Sequence, residues 1–169
     1  MSAALTAPFL AAGGVLCVSG AAKLRSPRSA VPALARLGLP ASASLVRAIA
    51  AAELGLGALA LAAPGRVVAL VVGGAYAGFA VVALRLVSLR AACGCFGESD
   101  APASPVQAAL SAVIAVAALV AAVWPPGGLG WVAGRPAGAA LALGLGGCIY
   151  GLVIAYTELP SAWAAWEAQ

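Results

Sequence analysis

The chain has 169 residues with a formal net charge of +4, and 64% of them are hydrophobic whereas only 8% are charged. Because soluble globular domains carry about 25% charged residues, this composition excludes that class and indicates one integral membrane domain over residues 1–169. The charge gives no reason to expect nucleic-acid binding, since basic residues cluster in a short connector beside the membrane. The lipid bilayer is therefore the first expected partner.

Five apolar stretches are long enough to cross a bilayer, which takes about 20 residues in a helix. No Lys or Arg precedes the first stretch, unlike a cleavable signal peptide, so we expect it to be retained. The predicted fold is all-α, a polytopic bundle of about five transmembrane helices in the cell membrane. The predicted spans cover residues 5–22, 44–63, 67–89, 106–124 and 137–156.

The connector after the first span combines apolar and basic residues. Its apolar residues are Val31, Leu34, Leu37 and Leu39, and its basic residues include Arg28 and Arg36. This pattern is typical of a short helix lying in the membrane interface with its arginines toward the headgroups. An irregular loop is the alternative, because Pro32 interrupts the pattern.

The second span carries two ionisable residues, Glu53 near its middle and Arg47 about two turns earlier. A charged side chain such as Asp at the centre of a bilayer costs about 2.5–3.5 kcal/mol on insertion scales. Glu53 is therefore expected to face the bundle interior and to have a partner there. A structural ion pair or hydrogen bond is one interpretation. The other is a proton relay or, together with Arg47, a contact to a buried ligand such as a quinone.

The fourth span has a well-marked beginning. Ser104 can cap a helix, Pro105 suits the first helical position, and Gln107 stands where the partner of a capping box belongs. Tryptophans follow the last two spans and are expected to act as interfacial anchors. The capped start of the fourth span places the loop that precedes it, between the third and fourth spans, at the edge of the membrane.

That loop contains Cys93 and Cys95, separated by Gly94, in a chain with four cysteines and no histidine. Two thiols this close can form and open a disulfide, and glycine tolerates the backbone angles of a tight loop. Thiol–disulfide exchange is the interpretation we favour. A permanent clip and a site for cuprous copper are alternatives. A zinc site would require the unusual addition of Glu98 and Asp100, so no metal site is predicted.

The other two cysteines lie inside predicted spans. Cys17 approaches the membrane face that holds the cysteine pair, because the first and third spans end on the same side. It is a candidate third exchanging thiol, although packing in a helix rich in Gly and Ala is the interpretation we favour. Cys148 lies near mid-membrane and is expected to be inert.

Four sequence segments are distinctive enough to compare with known families. They are Lys-Leu-Arg-Ser-Pro at 23–27, Leu-Gly-Leu-Pro at 37–40, Glu-Leu-Gly at 53–55 and Cys-Gly-Cys-Phe-Gly at 93–97. Together, over about residues 5–125, they resemble the MauE branch of the DoxX-like membrane proteins. The resemblance implies a bundle related in architecture to quinone-linked thiol oxidases of the DsbB and vitamin K epoxide reductase type. It also implies a link to maturation of methylamine dehydrogenase, a disulfide-rich periplasmic enzyme, with a thioredoxin-like partner.

The resemblance implies a redox role for Cys93 and Cys95 and transfers none to the other cysteines, while Lys23 and Glu53 match family positions without a known role. The predicted function is a membrane thiol–disulfide oxidoreductase or disulfide-maturation factor. It would exchange the cysteine-pair disulfide with a thioredoxin-like protein or secreted client and pass electrons to a membrane carrier, with quinone as the candidate cofactor. The alternatives are a non-enzymatic subunit or scaffold of a redox complex and, third, a small-molecule transporter.

The charge distribution and the family resemblance predict opposite orientations in the membrane. The side with the cysteine pair also has Lys23, Arg25, Arg28 and Arg36, whereas the other side has Arg66 and Arg135. The positive-inside rule puts the more basic side in the cytoplasm. The resemblance implies thiols outside the cytoplasm, and this is the orientation we favour.

Overall fold

The computed structural model describes residues 2–91 and 103–167, and within these ranges it contains helices and turns but no strand. Five helices are long and apolar enough to cross a membrane, which confirms the predicted polytopic bundle. The helices are α1 Ser2–Arg25, α2 Val31–Arg36, α3 Ala43–Ala62, α4 Arg66–Ser88, α5 Pro105–Val123, α6 Leu129–Ala133 and α7 Gly138–Glu167. The short helices α2 and α6 do not span.

The connector after α1 is helical, as predicted. A one-turn 3₁₀ helix, Pro27–Ala30, leads directly into α2. Ala33 and Leu34 are buried against the bundle whereas Arg28 and Arg36 are exposed, as expected for a short interfacial helix. Pro32 lies in the first turn of α2, where its missing N–H would have no partner within the helix, so it does not disrupt the helix.

Helices α1 and α3 pack antiparallel at very short range. A Cβ added to Gly20 would lie 2.7 Å from the Ala50 carbonyl oxygen, and one added to Gly57 would lie 2.6 Å from the Gly13 carbonyl oxygen. Real side chains do not fit at such distances, so glycine is required at both positions. Small residues allow this approach of backbones in lipid, where packing replaces the hydrophobic effect as the force between helices.

The core of the bundle is formed by α1, α3, α4 and α5. Its buried members include Phe9, Leu16, Ala60, Val72, Tyr76 and Ala118. Helix α7 packs on the edge of this group, against α1 and α5, and most of its side chains face outward. Leu143 and Tyr150 are 79% and 70% exposed, which is the expected state of residues in contact with lipid.

Helix α4 ends in a Schellman motif. The N–H of Arg90 bonds to the Val87 carbonyl, the N–H of Ala91 bonds to the Leu86 carbonyl, and Arg90 has φ 48°. Glycine is the usual residue at this left-handed position. Ala91 and Leu86 then pack together with Ala103 and with α2, so the end of α4 is held against the interfacial helix.

The two described ends of the α4–α5 connection meet. The N–H of Ala103 donates to the Ala91 carbonyl at 2.9 Å. Helix α5 then begins with the predicted capping box: the Ser104 hydroxyl accepts from the Val106 N–H at 3.0 Å, and Gln107 Oε1 accepts from the Ser104 N–H at 3.2 Å. The intervening residues 92–102, which include Cys93 and Cys95, lie outside the described residues.

Candidate functional site

A buried ion pair joins α1 to α3. Lys23 Nζ lies 2.6 Å from Glu53 Oε1 and 2.7 Å from Oε2, and the two side chains are 9% and 6% exposed. The Ser19 hydroxyl completes the group, because it accepts from Lys23 Nζ at 2.9 Å and donates to Glu53 Oε2 at 3.0 Å. The expectation that Glu53 faces the interior and has a partner is therefore confirmed.

The position of Lys23 near the end of α1 explains how its charge reaches membrane depth. Side chains of an α-helix tilt toward its N-terminus and lie over the residue four positions earlier. The Lys23 chain therefore runs back along α1 to Ser19 rather than outward to the headgroups. Its ammonium also lies 5.6 Å from the centre of the Phe79 ring on α4, within the range of a cation–π contact.

The charges of Lys23 and Glu53 cancel, and each hydrogen of the ammonium has an acceptor. Three hydrogens of the ammonium match three acceptors, namely both Glu53 oxygens and the Ser19 hydroxyl. Burial of either charge alone would be costly, so each requires the other. Phe79, which contacts the ammonium, also forms an edge-to-face ring pair with Tyr76, with centres 5.6 Å apart.

A cleft of about 450 Å³, counted with its open mouth, lies beside the ion pair. It is lined by α1, α4, α5 and α7 in the half of the bundle toward the C-terminal end of α1. Its apolar and aromatic lining is Val15, Leu16, Tyr76, Phe79 and Ala83, and its polar lining is Ser19, Lys23, Gln107, Ser111 and Tyr156. A mostly apolar cleft with a few polar groups is the usual character of a small-molecule site.

The α5–α7 wall of the cleft is held by hydrogen bonds at Tyr156. The hydroxyls of Tyr156 and Ser111 are 2.9 Å apart, and Gln107 Nε2 donates to the Tyr156 carbonyl at 3.0 Å. That carbonyl needs an external donor because Pro160, four residues later, has no N–H. The replacement donor lets α7 continue past Tyr156 to Glu167, beyond the end of the predicted span.

The other candidate residues are not in this cleft. Arg47 is exposed on α3, and the ion partner of Glu53 is Lys23. Cys17 is half-buried between α1 and α3, with its Sγ 3.9 Å from the Leu54 carbonyl oxygen. Cys148 is exposed on the outer side of α7. No set of three or more His, Cys, Asp or Glu is grouped for metal binding within the described ranges.

Sequence reasoning did not identify Lys23 as the partner of Glu53, nor the roles of Ser111 and Tyr156. The sequence contained two partial signals that these residues face other helices. Ser19 lies four residues before Lys23, a spacing that brings two helical side chains together. Ser111 is a polar residue within an apolar span, and a polar group at that depth is expected to face other helices.

The chain matches the family described as methylamine utilisation protein MauE over residues 1–126. The match includes α1 to α5, hence the ion pair and three walls of the cleft, whereas α7 with Tyr156 lies beyond it. No curated protein and no solved structure matches the chain significantly. Because the match covers well over half of its length, this membrane protein belongs to the MauE family.

Proposed function

We propose that this protein is a membrane thiol–disulfide redox factor. Cys93 and Cys95 form the exchanging pair, which takes electrons from a thioredoxin-like protein or a secreted client and passes them to a membrane carrier. Family membership supports a membrane redox-associated role. The chemistry of two thiols separated by one glycine supports the finer assignment.

The exchange conserves atoms and electrons. A client thiolate attacks one sulfur of the Cys93–Cys95 disulfide, and a mixed disulfide forms while the other sulfur leaves as thiolate. The second client thiolate then resolves the mixed disulfide. The client has lost two electrons and two protons, and the pair has gained them as two thiols. A membrane-soluble two-electron acceptor is then needed to restore the disulfide.

One structural observation carries the proposal: the described ends of the α4–α5 connection are joined by the hydrogen bond between Ala103 and Ala91. The two residues that flank the cysteine segment therefore lie side by side, where α4 ends and α5 begins. Gln107, one turn into α5, already lines the cleft. This common location supports a role for the cleft in the reoxidation of the pair.

A quinone is the acceptor class that we propose, and it would supply a ring that takes up two electrons and two protons. The lining of the cleft has the chemical character that such a ring needs. Tyr76 and Phe79 offer aromatic contacts, and Ser111 and Tyr156 offer hydroxyl groups that can orient a carbonyl oxygen. The Lys23 ammonium, paired with Glu53, lines the same cleft and carries exchangeable protons.

Oxidation of a reduced dithiol peptide by protein in proteoliposomes, with a short-chain quinone as acceptor, tests the proposal. Cys93→Ser and Cys95→Ser are each expected to abolish peptide oxidation. Cys148→Ser is the matched control, because that thiol is exposed on the far side of α7, and it is expected to keep full activity. Full activity in both of the first two variants would show that the redox proposal is wrong.

Quinone binding has its own test in the same assay. Tyr156→Phe removes the hydroxyl that lies 2.9 Å from Ser111, so the KM for quinone is expected to rise while the KM for the peptide stays unchanged. Equal changes in both constants would argue against the cleft. A transporter would behave differently: Glu53→Gln would impair solute uptake in it, whereas the cysteine variants would not.

Membrane orientation is tested by labelling spheroplasts with an impermeant maleimide before and after mild reduction. An extracytoplasmic pair is expected to label at Cys93 and Cys95 only after reduction. Labelling only after lysis would place the pair in the cytoplasm and would contradict oxidation of secreted clients.

A further inference from the structure

Four arginines surround the corner where α1, the 3₁₀ helix, α2 and α3 meet. They are Arg25, Arg28, Arg36 and Arg47, and we call this group the arginine corner. All four are exposed, and none has an acidic partner in the part of the chain that the structure describes. Lys23, in the last turn of α1, differs because Glu53 neutralises it. The corner is therefore a concentrated positive charge that the described residues leave uncompensated.

The arginine corner lies at the end of the bundle where α1 ends and α3 begins. The 3₁₀ helix Pro27–Ala30 contacts both α1 and α3, so Arg28 lies between the end of one spanning helix and the start of another. Arg25 is the last residue of α1, and α2 with Arg36 packs across the same end. This is the level at which spanning helices meet lipid headgroups.

Exposed apolar side chains accompany these charges. Leu24, Leu39 and Ile49 are 37%, 48% and 37% exposed, and the first and last lie within two residues of Arg25 and Arg47. A soluble acidic peptide would match the charges but would leave these apolar side chains in contact with water. A phospholipid matches both features, because its phosphate pairs with guanidinium groups and its acyl chains cover apolar residues.

We propose that the arginine corner binds the headgroup of an anionic phospholipid, and that this lipid holds α2 against the base of the cysteine segment. The second part follows from packing. Ala33 of α2 packs in one cluster with Leu86, Ala91 and Ala103, and Leu37, the residue after α2, packs against that cluster. A lipid that pairs with Arg28, which precedes α2, and with Arg36, the last residue of α2, therefore stabilises the point where the α4–α5 connection begins and ends. Lipid binding does not require the cysteine chemistry.

Native mass spectrometry of the purified protein with phosphatidylglycerol or phosphatidylcholine tests the proposal. The variant Arg28→Gln/Arg36→Gln removes two charges from the corner, and Arg66→Gln/Arg135→Gln removes two from the opposite end as a matched control. Each interfacial arginine is worth about 1 kcal/mol toward an anionic surface, which corresponds to about five-fold in affinity. The corner variant is therefore expected to bind phosphatidylglycerol about 25-fold more weakly, and the control about as well as wild type.

Thermal stability provides a second measurement that does not depend on detecting the lipid directly. Phosphatidylglycerol is expected to raise the Tm of wild type and of the opposite-end control, but not that of the corner variant, and high salt should weaken the effect. Phosphatidylcholine should raise no Tm selectively. Unchanged phosphatidylglycerol affinity in the corner variant, or an equal loss in the control, would overturn the proposal. If the corner variant kept its affinity for phosphatidylglycerol but bound a thioredoxin-like protein more weakly, the corner would instead be a binding site for an acidic protein surface.

Discussion

The ion pair between Lys23 and Glu53 gives the sharpest prediction about stability. Lys23→Met leaves the carboxylate buried beside Ser19 without its cation, and Glu53→Leu leaves the ammonium buried without its anion. Removal of one partner of a buried pair typically costs about 3–5 kcal/mol. Because both side chains are less than a tenth exposed, we expect each single variant to lose stability within that range.

The double variant Lys23→Met/Glu53→Leu should behave differently. It removes both charges together and replaces them with apolar side chains of similar size, a change that is often neutral or stabilising. The two single losses should therefore not add. If the double variant is as stable as wild type, the coupling free energy equals the sum of the two single losses, about 6–10 kcal/mol. Ser19 then keeps a hydroxyl that can bond within its own helix.

Unfolding in mixed micelles of a mild detergent and dodecyl sulfate, followed by tryptophan fluorescence, measures these differences. Additive losses in the double variant would refute the reasoning, because they would mean that the two side chains do not stabilise each other. Peptide oxidation in the same double variant then separates structure from function. A stable but inactive double variant indicates proton transfer or ligand positioning by the pair, whereas a stable and active one indicates a structural role only.

Two further substitutions test contacts that fix the rest of the site. Gln107→Leu leaves the Tyr156 carbonyl without a donor and is expected to lower the free energy of unfolding by about 1–3 kcal/mol. In a Pro160→Ala background, which restores a backbone donor, the same substitution should cost less. An equal cost in both backgrounds would contradict the hydrogen bond between Gln107 and Tyr156. Gly57→Ala places a methyl group 2.6 Å from a backbone oxygen of α1 and should destabilise by about 1–3 kcal/mol. Gly55→Ala meets nothing within 4 Å and should be neutral or stabilising in the same unfolding assay.

The features that the sequence predicted well are local ones. Hydrophobic length determines which segments span a membrane, so five spanning helices follow from composition within short windows. The start of α5 follows from three residues, because Ser104 and Gln107 bond across a single turn with Pro105 between them. The interfacial position of α2 likewise depends on the alternation of leucines and arginines within one short connector.

The features that the sequence did not predict depend on how deep a side chain lies in the membrane and on how each helix is rotated about its axis. Lys23 looks like an interfacial charge at the end of a span, and only the packing of α1 on α3 shows that it reaches Glu53. Tyr156 looks like an interfacial aromatic residue, yet it forms a wall of the cleft because Gln107, far away in sequence, compensates for Pro160. Neither relation is visible without the rotation of each helix about its axis.

The ion pair and the glycine contacts depend on each other. Gly20 and Gly57 allow α1 and α3 to approach until their backbones touch, and this approach brings Lys23 Nζ within 2.7 Å of both carboxylate oxygens. A slip of one helical turn would move α1 about 5.4 Å along α3. Such a slip would break both contacts with Glu53 and leave two charges in lipid. Buried polar groups serve best as determinants of register, and this pair specifies how the end of α1, and with it the interfacial α2, lies against the base of the cysteine segment.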